Sequence, residues 1–229
     1  MRTIGFLHTA DVHVATFRAL RADVAPDARD VHTVDQSLLA DARASGITVS
    51  VRERIAGHLR LLARDADAIV CTCSTIGGEA ELLAECVDVP VIRVDRPMAE
   101  MAVRAGRRVA VVAALESTLE PTRALLEDCA RGLDTEVRLE PCLEAWPLFE
   151  AGDLEGYLTL IAEHVRELSP RADVVVLAQA SMASVEPVVA DLDLRVLSSP
   201  RSSVEMAVQL ATRARKRPND DDHLAARPA

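Results

Sequence analysis

The chain has 229 residues, 49% hydrophobic and 27% charged, a balance that suits one large globular domain or two small ones. A net charge of −10 and only 2% aromatic residues argue against a nucleic-acid partner, which needs clustered cations and stacking platforms. No apolar run approaches the ~20 residues that cross a bilayer, and the single lysine, Lys216, lies in a polar tail, which excludes Schiff-base and pyridoxal phosphate chemistry.

Short apolar runs alternate with helical spacing along the chain. Ile4–Leu7 reads as a strand and Val14–Ala25 as a helix. A second strand follows at Val31–Val34, then a helix over Val51–Arg64, where Ile55, Leu59 and Leu62 share a face. Ala68–Cys71 reads as a buried strand, Gly77–Cys86 as a helix, Val89–Val94 as a strand and Pro97–Ala105 as a helix. The order then restarts. Strands are predicted at Arg108–Ala113, Glu136–Leu139, Val174–Leu177 and Arg195–Leu197. Helices are predicted at Glu120–Arg131, Tyr157–Leu168, Val185–Asp191 and Val204–Arg215. This alternation implies an α/β fold with mostly parallel sheets flanked by helices.

The restart is visible in the letters as an internal repeat. Glu100-Met101-Ala102-Val103 recurs as Glu205-Met206-Ala207-Val208, Arg18-Ala19-Leu20 as Arg123-Ala124-Leu125, and Asp35 matches Glu140, each pair 105 residues apart. Ala66-Asp67-Ala68-Ile69-Val70 resembles Ala172-Asp173-Val174-Val175-Val176 at a spacing of 106. The expected architecture is two duplicated half-domains, residues 1–104 and 105–213, facing each other across a cleft. Residues 214–229 carry Pro, Asn and an Asp run without periodicity and read as a disordered tail.

Five cysteines in no secreted pattern are expected to be free thiols, and the opening apolar run is too short for a signal peptide, so a cytoplasmic location is expected. Cys73 stands out, because the run Ile69 to Gly78 places it where a buried strand gives way to a helix. Ligands in open parallel sheets bind at such strand ends. A helix start there, capped by Ser74 or Thr75, offers free N–H groups that attract a carboxylate and lower a thiol pKa. The alternative is a small buried core residue. Cys71 is expected to face away from the cleft, and the two cysteines lack a second ligand pair for a metal.

The strand-ending Cys73-Ser74-Thr75, the duplication and the His8-Thr9 loop together resemble the aspartate/glutamate racemase superfamily, over Ile4 to about Leu210. That resemblance implies cofactor-free chemistry on a carbon acid held between two halves. A cysteine from each half would face the substrate, one thiolate removing the proton beside a carboxylate and the other thiol returning one. Cys73 matches the first, with Ser74-Thr75 where the family usually has Asn-Thr. At the repeat spacing its counterpart is Gln179, which is neither acid nor base near neutral pH.

The expected enzyme is therefore an isomerase-like, cofactor-independent catalyst with Cys73 as acid/base or nucleophile and His8 as its catalytic partner. The substrate would be a small carboxylate, amino acid-like or dicarboxylate-like, gripped by Thr9, Ser74, Thr75, Ser117, Thr118, Gln179, Ala180 and Ser181. His13 is an alternative partner for the thiol. Asp35 could orient a histidine or cap a helix over Gln36–Ala42. Decarboxylation, isomerisation and non-catalytic carboxylate sensing are the alternatives, and the resemblance also allows for a homodimer. There is no GxGxxG or P-loop pattern, and neither metal nor nucleotide cofactor is expected. Cys142 and Trp146 fall in a loop able to cover the cleft, with packing favoured over substrate contact for the tryptophan.

Overall fold

The computed structural model describes residues 1–216, so the tail beyond them lies outside the described residues. The first half runs β1 (Thr3–His8), α1 (Val12–Val24), β2 (Arg29–Val34), α2 (Gln36–Ser45), α3 (Val49–Leu62), β3 (Ala68–Cys71), α4 (Ser74–Leu82), β4 (Val91–Arg93) and α5 (Arg96–Ala105). The second runs β5 (Arg108–Ala113), α6 (Glu116–Cys129), β6 (Glu136–Pro141), α7 (Ala145–Glu150), α8 (Leu154–Leu168), β7 (Val174–Leu177), a 3-10 stretch over Ala180–Val189, β8 (Arg195–Ser198) and α9 (Pro200–Lys216).

The strands form two four-stranded sheets ordered β2-β1-β3-β4 and β6-β5-β7-β8, parallel throughout. The orders are the same, so the letter repeat corresponds to a repeat of topology. In each sheet the chain leaves the first central strand in one direction and returns to the other side. The gap above β1 and β3, and above β5 and β7, is where ligands enter parallel sheets.

β3 and β7 are buried along their whole length, which explains why Ala68-Ile69-Val70-Cys71 and Val174-Val175-Val176-Leu177 lack alternation. The packing crosses the midpoint of the chain in both directions. Met98, Ala99, Ala102 and Val103 of α5 join Val109, Val111, Val174 and Val176 of the second sheet. Val204, Ala207 and Ala211 of α9 join Ile4, Phe6 and Val70 of the first. Each half thus lays its last helix on the other half's sheet.

Two local outcomes differ from the sequence reading, and a third bears out one of the two roles it left open for Asp35. Ala145–Glu150, read as loop, is the short helix α7. The helix read over Val185–Asp191 starts earlier and is 3-10 in form, with Pro187 inside it and unable to supply an N–H. Asp35 caps α2, accepting from the Ser37 N–H at 3.1 Å, and pairs with Arg54 at 2.8 Å and His58 at 3.0 Å. Among the described residues no helix is long and apolar enough to cross a membrane.

Candidate active site

Cys73 follows β3 and is the N-cap of α4, in extended conformation at φ −115°, ψ 115°. Gln179 follows β7 and is the N-cap of the 3-10 stretch, at φ −118°, ψ 140°. The two therefore hold matching places at the ends of matching strands. Both line one cavity of about 50 Å³, within about 460 Å³ of space between atoms that includes open solvent. Thr9, His13, Thr72, Ser74 and Thr75 contribute to its wall from the first half, and Thr118, Ala180 and Ser181 from the second. Leu39, Leu115, Trp146 and Phe149 close its apolar side.

Cys73 is 9% exposed. Burial pushes its thiol pKa up, against the hydrogen bonds of the Thr9 hydroxyl, the Ile76 and Thr75 N–H groups and the Thr75 hydroxyl, which pull it back. The sequence expectation of a lowered pKa is corrected on this point. The amides at the start of α4 do face the sulfur, but desolvation of the thiolate outweighs them. Burial thus favours the thiol over the thiolate.

Ser74 does not cap α4. Its hydroxyl donates across the cleft to the Ala178 carbonyl at 2.9 Å, tying the two halves beside the cavity. The Thr75 and Ser117 hydroxyls meet at 3.3 Å, a second tie. Ser117 and Thr118 belong to the first turn of α6; Thr118 faces the cavity, whereas Ser117 lines an adjoining outer groove. Ser181 shares a 2.8 Å hydrogen bond with Tyr157, whose hydroxyl pKa burial raises to about 12.

Gln179 is also 9% exposed. Its Oε1 accepts from the Ala114 N–H at 2.9 Å, which fixes the amide so that Nε2 is the free end. That Nε2 is buried without a partner. A buried donor left unmade costs free energy until a ligand supplies an acceptor.

His8 lies beneath the cavity rather than on its wall. It is fully buried, with Nδ1 2.8 Å from the Thr72 hydroxyl and Nε2 2.9 Å from Nδ1 of His32. His32 in turn reaches Asp30 at 2.8 Å. The alternation of β1 explains this, since Ile4, Phe6 and His8 share the face covered by Phe17 and α9. Burial first, then the neighbouring His32 and His13, lower the His8 pKa to about 3. His13, half-buried on the cavity wall, is lowered to about 4 by burial.

A depressed histidine makes the fold acid-sensitive. The unfolded chain takes up a proton near pH 6.5 that folded His8 refuses until about 3, so this stability is complete above pH 6.5 and is lost as pH falls. Between pH 7 and pH 5 His8 alone removes about 2 kcal/mol, at 1.36 kcal/mol per unit below 6.5. Urea unfolding at the two pH values checks this. An unchanged or higher midpoint at pH 5 contradicts it.

Packing was favoured for Trp146 in the sequence reading, and Phe149, Arg93 and Asp95 were not singled out there. Trp146 and Phe149 of α7, stacked with centroids 5.0 Å apart, form part of the cavity wall, so the tryptophan does face the site. Arg93 and Asp95 form a buried pair at 2.6 and 2.9 Å behind α4, and Arg93 also donates to the Pro121 carbonyl of α6 at 3.2 Å. Space at Gly77 is tight here: a Cβ on it would stand 3.0 Å from the Arg93 Cβ.

Two parallel sheets with matching strand ends, a thiol at one and an amide at the other, define a pseudo-symmetric α/β protein with a cavity between the lobes. The chain belongs to the Asp/Glu/hydantoin racemase family, whose model matches residues 4–207. No curated protein sequence matches it significantly. Among solved structures it is similar to the aspartate racemase of Picrophilus torridus, at 13% identity and TM-score 0.72, over 93% of this chain and 95% of that one. It is also similar to the Francisella tularensis glutamate racemase in complex with D-glutamate, at 18% identity and TM-score 0.68, over 93% and 82%. A glycine-to-cysteine variant of arylmalonate decarboxylase aligns at 18% identity and TM-score 0.59, over 92% and 93%.

Proposed function

We propose that this chain is a cofactor-independent enzyme that moves a proton at the carbon next to a carboxylate or carbonyl of a small molecule, using Cys73 on one face only. The observation that carries the reading is the pairing of Cys73 with Gln179 at equivalent strand ends of one cavity. A thiolate can take a proton from carbon, the C–H electron pair passing into the substrate oxygen to give an enediolate. The thiol then returns the proton to the same face. Gln179 cannot do either, but its free Nε2 can donate to the enediolate oxygen, as can the N–H groups at the start of α4.

Decarboxylation of a 3-oxo acid is a second reading, favoured by the burial that disfavours the Cys73 thiolate. There the carbon–carbon bond to the departing carboxylate breaks, carbon dioxide leaves, and the bond's electron pair passes into the remaining carbonyl oxygen as an enolate. Cys73 then protonates the carbon on one face and regains its proton from solvent.

Incubation in deuterium oxide with a panel of chiral small acids tests the proposal. Wild type is expected to exchange the α-hydrogen, or to deliver one deuterium on decarboxylation, with a single handedness. Gln179→Cys places a second thiol at the matching strand end and is expected to convert exchange with retention into racemisation. Equal rates of exchange and racemisation in the wild type would refute one-sided chemistry.

A further inference from the structure

Resting on that reading, we infer that the substrate is a monoanion with an apolar arm, carrying neither an ammonium group nor a second carboxylate. The cavity has two unlike ends. Around Cys73 it offers donors: the N–H groups of Thr75 and Ile76, the hydroxyls of Thr9 and Thr75, and across from them the unpartnered Nε2 of Gln179. The Gln179 amide is more than nine-tenths buried and is fixed through its Oε1, so the free end is a donor and asks for an oxygen. That end suits one oxyanion.

The other end is closed by Leu39, Leu115, Trp146 and Phe149. Among the described residues on the cavity wall, the ionisable side chains are Cys73 and His13, and burial keeps His13 neutral at physiological pH. No arginine, lysine, aspartate or glutamate is on that wall. At the mouth outside it, Arg43 and Glu150 face each other at 3.6 Å and Asp11 accepts from the Gln36 amide. An α-ammonium group entering the cavity sheds water without meeting a carboxylate, and a second carboxylate sheds water without meeting a cation. The wall therefore discriminates against zwitterions and dianions by leaving their charges unpaired, while the stacked Trp146 and Phe149 accept an apolar or ring-bearing arm.

A related series varies the charge. 3-Phenylpropionate has one carboxylate and a ring, phenylalanine adds an ammonium group, and benzylsuccinate adds a carboxymethyl group with its second carboxylate. Each is tested on the full chain for protection of Cys73 from iodoacetamide at pH 9, read by mass spectrometry of the Cys73 peptide, with aspartate and glutamate as further probes. 3-Phenylpropionate is expected to slow alkylation at concentrations at least 100-fold below those at which the others act, and Trp146→Ala to weaken that protection about tenfold. Equal or better protection by phenylalanine, benzylsuccinate, aspartate or glutamate overturns the inference, and so does a failure of 3-phenylpropionate to protect. The two readings fail separately. Protection by the monoacid with no isotope exchange on any acid keeps this ligand class and sinks the catalytic reading. Exchange on aspartate without protection by the monoacid does the reverse.

Discussion

Cys73→Ala is expected to lower isotope exchange or decarboxylation by roughly 100- to 10,000-fold, the range for removing a positioned proton-transfer group. The cavity wall has no substitute. The hydroxyls of Thr9 and Thr75 do not ionise near neutrality, the Gln179 amide does not titrate, and His13 is held at about 4 as a weak base. Because the sulfur is one small group at a 9% exposed position, its loss leaves the packing of α4 on β3 largely intact. Circular dichroism and ligand-induced thermal shifts should match the wild type while turnover disappears. A variant that keeps a tenth or more of the wild-type rate would move the chemistry away from this residue.

The largest stability effect is expected at Asp95. Its carboxylate is fully buried and faces the Arg93 guanidinium at 2.6 and 2.9 Å. Asp95→Ala strands a buried cation and should cost about 3–5 kcal/mol, whereas replacing both partners with apolar residues removes the stranded charge and should cost much less. Urea unfolding of Asp95→Ala, Arg93→Met and the double variant gives the coupling directly. A double variant as unstable as the sum of the singles would show that the pair contributes nothing as a pair. The pair has no counterpart in the second half, where residues 105 further on are Ser198 and Pro200. Arg93 also reaches α6 through the Pro121 carbonyl, so its loss is expected to loosen the join between halves as well as β4.

The architecture was legible because buried parallel strands write themselves as unbroken apolar runs, and the duplication wrote them twice. Cys73 was legible for the same reason: a polar cluster directly after such a run has little choice but to sit at the strand's carboxyl end. The pKa of Cys73 was not, because helix amides can be inferred from position while desolvation depends on what closes over the site from the other half. His8 carried a usable signal, since it continues the inward alternation of Ile4 and Phe6, yet a histidine at a strand end reads equally well as a site residue. Arg93 and Asp95 look like surface charges in sequence, and only the Gly77-Gly78 pair hints that a large side chain crosses α4. Trp146 could be placed near the cleft, but the helix that carries it and Phe149 was hidden by Pro147, which breaks the apparent helical spacing of a six-residue helix.

The placement of α5 and α9 bears on how the chain reaches its native state during synthesis. The first sheet is complete once β4 has emerged, but the strip formed by Ile4, Phe6 and Val70 is covered only in part, by Phe17, until Val204, Ala207 and Ala211 leave the ribosome. An isolated fragment ending near Gly106 would display that strip together with the apolar face of α5, two sticky surfaces with no mate. Each half therefore completes its core with a helix from the other, and full burial of the first sheet requires the last helix.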